Sequence, residues 1–211
     1  IIRIKHSVTY WKKASVKATV DAVLSFNTKQ DIIAACGGPA RHVEFLLQDS
    51  VDDNLDWKND VDPNHPLKMV CDYIDEWLSG RHTNKNQTFN LGEKLIGLTE
   101  APYGLFQGYA PMAMVAFSMR KYVNQIFDTN GKQRTSQHLV DDVVELFKAW
   151  ESGRSSNKLN FMFESKEAGK LSKYLIAMFS LKKLKGYSDI SSLKDARWAI
   201  QHEYAKEKGY P

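Results

Sequence analysis

Little in these 211 residues is built for covalent or metal chemistry. There are only two cysteines, Cys36 and Cys71, on segments that read as a helix end and a helix interior. At that separation they are buried thiols rather than a disulfide or a metal pair, which fits a reducing cytoplasm. No Cys-x-x-Cys and no His-Glu-x-x-His occurs, so the strong zinc signatures are missing. No Gly-x-x-x-x-Gly-Lys-Ser/Thr occurs either, and Gly37-Gly38 is a helix stop rather than a phosphate cradle. No Gly-x-Ser-x-Gly elbow frames a nucleophile. The Asp-rich stretch Asp49 to Asp62 lacks the order and the closing Glu of a calcium loop. The longest apolar run, Ala110 to Met119, is too short to span a bilayer. The opening IIRIKHSVTYWKK has no h-region and no small-residue cleavage site. Neither a repeat nor a low-complexity segment is present. These absences predict a protein with no cofactor, no membrane partner and no active site in these residues.

What is present is ordinary globular material, 43% hydrophobic and 26% charged, enough for one large domain or two small ones. The net charge of +4 is unevenly spread. Asp49 to Asp62 holds six Asp against one Lys, whereas Lys166 to Lys208 holds ten Lys/Arg against five Asp/Glu. The basic third is first of all a solvated helix face; a surface for phosphate or for an acidic partner is the alternative.

Hydrophobic periodicity predicts a mainly α protein. Val16, Val20, Val23 and Leu24 make one stripe, and Thr28 to Asp31 has capping-box spacing for a short helix that ends at Gly37-Gly38. Pro39 opens the next helix, with Val43, Leu46 and Leu47 inward. Asp49 to His65 has no apolar period and reads as a loop. Pro66 opens the cleanest amphipathic helix, carrying Leu67, Val70, Cys71, Ile74, Trp77 and Leu78. Gly80 to Thr88 is polar, and the chain is either one packed α domain or two tightly packed helical subdomains split there, 1–80 and 89–211. Leu139, Val143, Leu146, Phe147 and Trp150 form a further stripe, and Leu159 to Phe163 reads as a strand. Ser165 caps a helix with Leu171, Tyr174, Leu175, Met178 and Phe179 inward. Ser192 and Asp195 cap the last helix, with Leu193, Ala196, Ile200 and Tyr204 inward.

The stretch Asn90 to Ser136 has the order of a winged helix-turn-helix. Asn90 and Glu93 cap a helix bearing Leu91, Leu95, Ile96 and Leu98. A Pro/Gly turn follows, then a helix from Pro111 that is apolar nearly all round (Met112, Met114, Val115, Phe117, Met119). A hairpin closes the unit, with Gln125–Thr129 and Lys132–Thr135 as arms and Asn130-Gly131 as a type I′ turn. A DNA reader presents polar side chains on its second helix. Here that helix has only Arg120 and Lys121, at its C-terminal end, so the element is a degenerate winged helix-turn-helix with a small β-hairpin. Lys132 and Arg134 on the wing are candidates for nucleic-acid contact, together with Arg120 and Lys121 and with Lys182, Lys183, Lys185, Lys194 and Arg197 in the C-terminal helices. A weaker helix-turn-helix candidate is Thr28 to Leu47, with Arg41 and His42 opening its second helix. His138 and Asp142, with Asp141 adjacent, are spaced to share a helix face and are the only metal or catalytic candidates, although two ligands without a third are weak evidence.

Glu100-Ala-Pro-Tyr-Gly-Leu-Phe-Gln-Gly108, the apolar helix behind it and the hairpin resemble a C-terminal stretch of large bacterial P-loop ATPases from DNA-modification and phage-defence loci, of which the BREX-type ATPases are examples. The end, Asp195 to Pro211, is similar to the helix before a Pro-Leu-Trp turn in such proteins. The resemblance covers about Asn90 to Pro211 and implies that the nucleotide-binding elements lie elsewhere, so no catalytic residue carries over. The missing initiator Met and the stop at Tyr210-Pro211 agree with a piece of a longer chain. The expectation is a non-catalytic accessory or docking region of a large cytoplasmic ATPase, whose partners are its parent's other domains or another protein. The alternative is a nucleic-acid-binding module that uses the 125–135 hairpin and the basic C-terminal helices to hold DNA.

Overall fold

A computed structural model describes residues 13–79, 88–163, 166–188, 190, 192–204 and 206. The protein is mainly helical. The helices are α1 (Lys13–Ser25), α2 (Lys29–Cys36), α3 (Ala40–Gln48), α4 (Pro66–Leu78), α5 (Leu91–Lys94), α6 (Tyr109–Met119), α7 (Ser136–Ser152), α8 (Lys166–Met178) and α9 (Leu193–Ala199). Three short strands, β1 (Phe89–Asn90), β2 (Ile126–Asp128) and β3 (Asn160–Phe163), are ordered β1-β3-β2. The cap expected at Ser165 and all but the last residue of Gly80–Thr88 lie outside the described residues.

The chain forms two compact units, and they do not follow a single cut near residue 80. One comprises Ile1–Thr83, Phe89–Val123 and Thr135–Asn160; the other comprises Asn84–Thr88, Asn124–Arg134 and Phe161–Pro211. The hairpin region and the last quarter of the sequence therefore belong together.

The first unit is organised around α6. Every residue from Pro111 to Met119 is buried, and α1, α3, α4 and α7 all pack against this helix. Each of those helices turns inward the stripe that its period predicts: Val16, Val20 and Val23 on α1; Val43, Leu46 and Leu47 on α3; Leu67, Val70, Cys71, Ile74 and Leu78 on α4; Leu139, Val143, Leu146 and Phe147 on α7. Their ends follow local chemistry. The Thr28 hydroxyl accepts the Asp31 N–H at the start of α2, Pro66 opens α4, and Gly153, at φ +62°, lets α7 stop in the left-handed region.

The helix expected across Asn90 to Leu98 is instead a four-residue α5 followed by a 3₁₀ turn over Ile96–Thr99. Gly92 and Gly97 weaken a longer helix, and the Trp150 indole N–H takes the Gly92 carbonyl at 3.0 Å. The Asn90 side chain still caps the Glu93 N–H, but the Glu93 carboxylate receives the Ser155 hydroxyl at 3.0 Å. The Pro-Tyr-Gly turn that follows places Tyr103 edge-on against Tyr73, with ring centres 5.0 Å apart.

In the second unit, β2 pairs antiparallel with β3, Ile126 opposite Phe163 and Asp128 opposite Phe161. The second arm of the expected hairpin is paired with the first: Phe127 bridges Gln133, the Arg134 N–H donates to the Ile126 carbonyl at 2.8 Å, and the Asp128 N–H donates to the Lys132 carbonyl at 2.9 Å. Its turn is not type I′, because Gly131 has φ +79° while Asn130 is not among the residues with positive φ. The Asp128 carboxylate accepts the N–H groups of Asn130 (2.8 Å) and Lys132 (2.9 Å), and the Gly131 N–H reaches the Asp128 carbonyl at 2.9 Å. That geometry is a type I turn closed by a left-handed glycine. The unit's core is Leu181, Leu184, Ile190, Ala196 and Ala199, with Leu175, Ile176, Phe179, Ile200 and Tyr204 packed around it.

Enclosure of α6 on every side has a measurable consequence. Met112 and Met114 point about 200° apart around the helix, and both are fully buried. Met112→Ala and Met114→Ala are each expected to cost about 2–5 kcal/mol in urea unfolding, and Met114→Leu less than about 1.5 kcal/mol. A helix with one free face would tolerate one of the two alanines.

Candidate functional site

The basic residues singled out in the sequence divide into two sets. Arg120 and Lys121 lie in the 3₁₀ turn that ends α6 and are engaged within the first unit. The half-buried Arg120 guanidinium donates from Nη1 to the carbonyl oxygens of Val23 and Phe26, the latter at 2.8 Å, and so caps the last turn of α1. Burial lowers its pKa. The Lys121 ammonium pairs with the Asp75 carboxylate, whose other oxygen accepts the Tyr122 hydroxyl at 3.1 Å. Burial beside Asp75 pushes the Tyr122 phenol up.

The other residues lie in the second unit, where acidic groups are fewer. Lys132 is exposed on the hairpin. Arg134 is half-buried, its guanidinium 5.7 Å from the centre of the Phe161 ring. Lys182 and Lys183 project from a 3₁₀ turn held down by the buried Leu181, and Lys185 is exposed just beyond. Lys194 and Arg197 are exposed on α9. The structure brings the hairpin to α9: a Cβ built on Gly131 would lie 2.9 Å from Cδ of Lys194, so the lysine stem lies along the turn beside Lys132.

The acidic and nucleophilic candidates do not converge. His138 Nδ1 lies 3.0 Å from the Thr135 hydroxyl and 3.3 Å from the Thr135 N–H, completing a capping box at the start of α7. Asp141 pairs with Lys17, and Asp142 is buried. Among the described residues no three His, Cys, Asp or Glu side chains are grouped to hold a metal. The Asp-rich loop is wired to itself: Asp52 accepts the N–H groups of Asn54 (2.9 Å) and Asp56 (3.0 Å), and Asp62 that of Asn64 (2.8 Å). Both cysteines are free and buried. Burial raises the Cys36 thiol to about 11 and that of Cys71, 3.0 Å from the Ser118 hydroxyl, to about 12. A surface hollow of about 370 Å³ between Lys148, Arg154 and Lys158 also contains Glu145, and that carboxylate already receives the Ser156 hydroxyl at 2.8 Å.

Two surfaces escape a reading based on inward stripes. On α8, Leu175 and Ile176 pack on the core, as does Phe179 just past the helix, but Leu171, Tyr174 and Met178, expected inside, point outward at 47%, 63% and 61% exposure. On α9 and the π-type turn that continues it over Ile200–Tyr204, the residues between the inward ones form an exposed series: Lys194, Arg197, Trp198, Gln201 and His202. Their steps of three and four residues are visible in the sequence once the buried Ala196 and Ala199 fix the inner side.

Arg120→Ala leaves the carbonyls of Val23 and Phe26, at and just past the end of α1, without their donor and is expected to destabilise the protein by about 1–3 kcal/mol, read by urea unfolding. Neither thiol is expected to react with a thiol reagent at pH 8 until the chain is unfolded. Because both folded pKa values exceed the ordinary 9.0, the stability linked to the thiols is complete below that pH. It declines as the pH rises toward 11–12, which denaturation at stepped alkaline pH would follow. No family model, no curated protein and no solved structure matches this chain.

Proposed function

We propose that this chain is a non-catalytic docking region of a large cytoplasmic ATPase linked to DNA modification or phage defence, and that it docks through the outward face of α8. The observation that carries the reading is the row Leu171, Tyr174 and Met178, three large apolar side chains at helical spacing that remain in water. Exposed apolar groups in contiguous rows mark surfaces that another protein covers. The flanking Lys170 and Lys173 are exposed as well, and they would frame the apolar row with positive charge. The Glu100–Gly108 resemblance supplies the class of parent protein. In this reading Asn90 to Ser136 is a degenerate winged helix-turn-helix kept as a packing unit. The complete burial of Pro111–Met119 supports that use over reading a nucleic-acid groove.

The test is recovery of a tagged chain from its source cells. A P-loop ATPase is expected among the proteins that bind it, with affinity about thirty-fold lower for Leu171→Lys/Met178→Lys, the loss typical of a central interface anchor. Recovery without any such ATPase, or recovery indifferent to the double substitution, overturns the proposal.

A further inference from the structure

The second unit contains a second surface, different in chemistry from the α8 row. By sequence this unit carries thirteen Lys/Arg against seven Asp/Glu, whereas the first carries sixteen against eighteen. The excess is organised. Helix α9 is fixed from beneath by Ala196 and Ala199, both fully buried, and by Ile200 and Tyr204, with Phe179 meeting Tyr204 edge-on at 5.1 Å. Its start is fixed by Ser192, whose hydroxyl accepts the Asp195 N–H at 3.0 Å and binds the Asp195 carboxylate at 2.8 Å. The carboxylate next to Lys194 in sequence is thereby engaged in the cap.

What remains outward is Lys194, Arg197, Trp198, Gln201 and His202. Trp198 is 57% exposed, and its ring centre lies 3.9 Å from that of His202, the planes inclined at 37°. A wider, π-type turn over Ile200–Tyr204 continues the helix there. An indole left in water one helical turn from Lys194, next to Arg197 and backed by an imidazole, has no role in the unit's own core. The hairpin extends the basic face, since Gly131 lies against the Lys194 stem and Lys132 follows it into solvent. Exposed cations and an open aromatic ring on the same face are the two requirements for holding a nucleic acid strand without reading a groove: phosphates neutralised by lysine and arginine, bases stacked on the ring.

We infer that the face formed by Lys132, Lys194, Arg197, Trp198 and His202 binds single-stranded nucleic acid, with Trp198 as the stacking platform. The inference goes beyond the docking proposal and uses none of the α8 row. A double helix keeps its bases stacked on each other and cannot offer one to Trp198, so duplex is bound more weakly than single strand. Gln201, one turn along, faces the same solvent and can hydrogen-bond the edge of a stacked base.

The experiment is fluorescence anisotropy of the full chain with labelled oligothymidylate, oligouridylate and a DNA duplex over a salt series. Both single strands are expected to bind, and the comparison between them shows whether the sugar matters. With three phosphate contacts the salt slope is about −2, so affinity falls roughly twenty-fold between about 50 and about 200 mM salt. Lys132→Ala/Arg197→Ala reduces that slope to about −0.7. Trp198→Ala weakens binding about ten-fold, Trp198→Phe restores most of it, and circular dichroism is unchanged because the side chain is exposed. Leu171→Lys/Met178→Lys leaves the affinity at the wild-type value, which separates a failure here from a failure of the docking proposal. No binding at low salt overturns the inference. So does binding that is equal for duplex and indifferent to Trp198→Ala, since that is attraction of any polyanion to a basic surface.

Discussion

The constraint on which the first unit depends is that α6 has no polar side. A helix apolar around its whole circumference is stable in water only when surrounded, and Pro111 to Met119 is buried throughout. The four helices that pack on it, α1, α3, α4 and α7, must each supply one apolar stripe, and each does. Ser118, the polar residue within the run, returns its hydroxyl to the Met114 carbonyl at 2.9 Å and meets the Cys71 sulfur. Among the described residues no buried side-chain nitrogen or oxygen lacks a hydrogen-bond partner. Where the enclosure ends, polarity returns at once with Arg120, Lys121 and Tyr122, and all three are held by neighbouring groups of the same unit.

The same constraint separates two uses of one sequence order. Helix, turn, helix and hairpin can present a second helix to a nucleic-acid groove, but only if that helix keeps one face in solvent. In this chain the second helix is the centre of the core. The features that suit polyanions, cations with an open aromatic ring, are instead on α9, some 75 residues later in the sequence. The second unit is the more basic of the two by composition. It can be so because a small apolar cluster with few enclosed polar groups leaves most of its side chains at the surface.

Legibility in the sequence followed the range of the interactions. Stripes at helical spacing, caps at Thr28, Asn90 and Ser192, and stops at Gly37 and Gly153 are set within a few residues and could be read directly. Three features could not. The Asn130-Gly131 pair carries the common signature of a type I′ turn, but Asp128 two residues earlier offers its carboxylate to the turn's N–H groups and selects a different geometry. On α8 and just beyond it, Leu171, Tyr174, Leu175, Met178 and Phe179 span too wide an arc for all to be inside, and only the packed core tells which are not. Arg120 was a basic residue near a helix end until its partners, the carbonyls of Val23 and Phe26, were known, and these are 97 and 94 residues away. The candidate site was legible to the same extent: Lys132, Lys194 and Arg197 could be named as basic, but their association with Trp198 and His202 required knowing which side of α9 is down.

That guanidinium link also bears on how the molecule opens. The last turn of an isolated helix frays, because its carbonyls are open to solvent. Here the end of α1 is clamped to the end of α6, the least accessible helix of the unit, by one guanidinium nitrogen that donates to two carbonyls together. The amide protons of the final turn of α1 should then exchange with solvent in step with those of α6, in the slow, cooperative opening of the whole helical unit. A lysine at position 120 would keep the charge, but its ammonium rotates on a flexible stem and is not held in one plane as the guanidinium nitrogen is. It would loosen the coupling between the two helix ends, and the end of α1 would open locally and early.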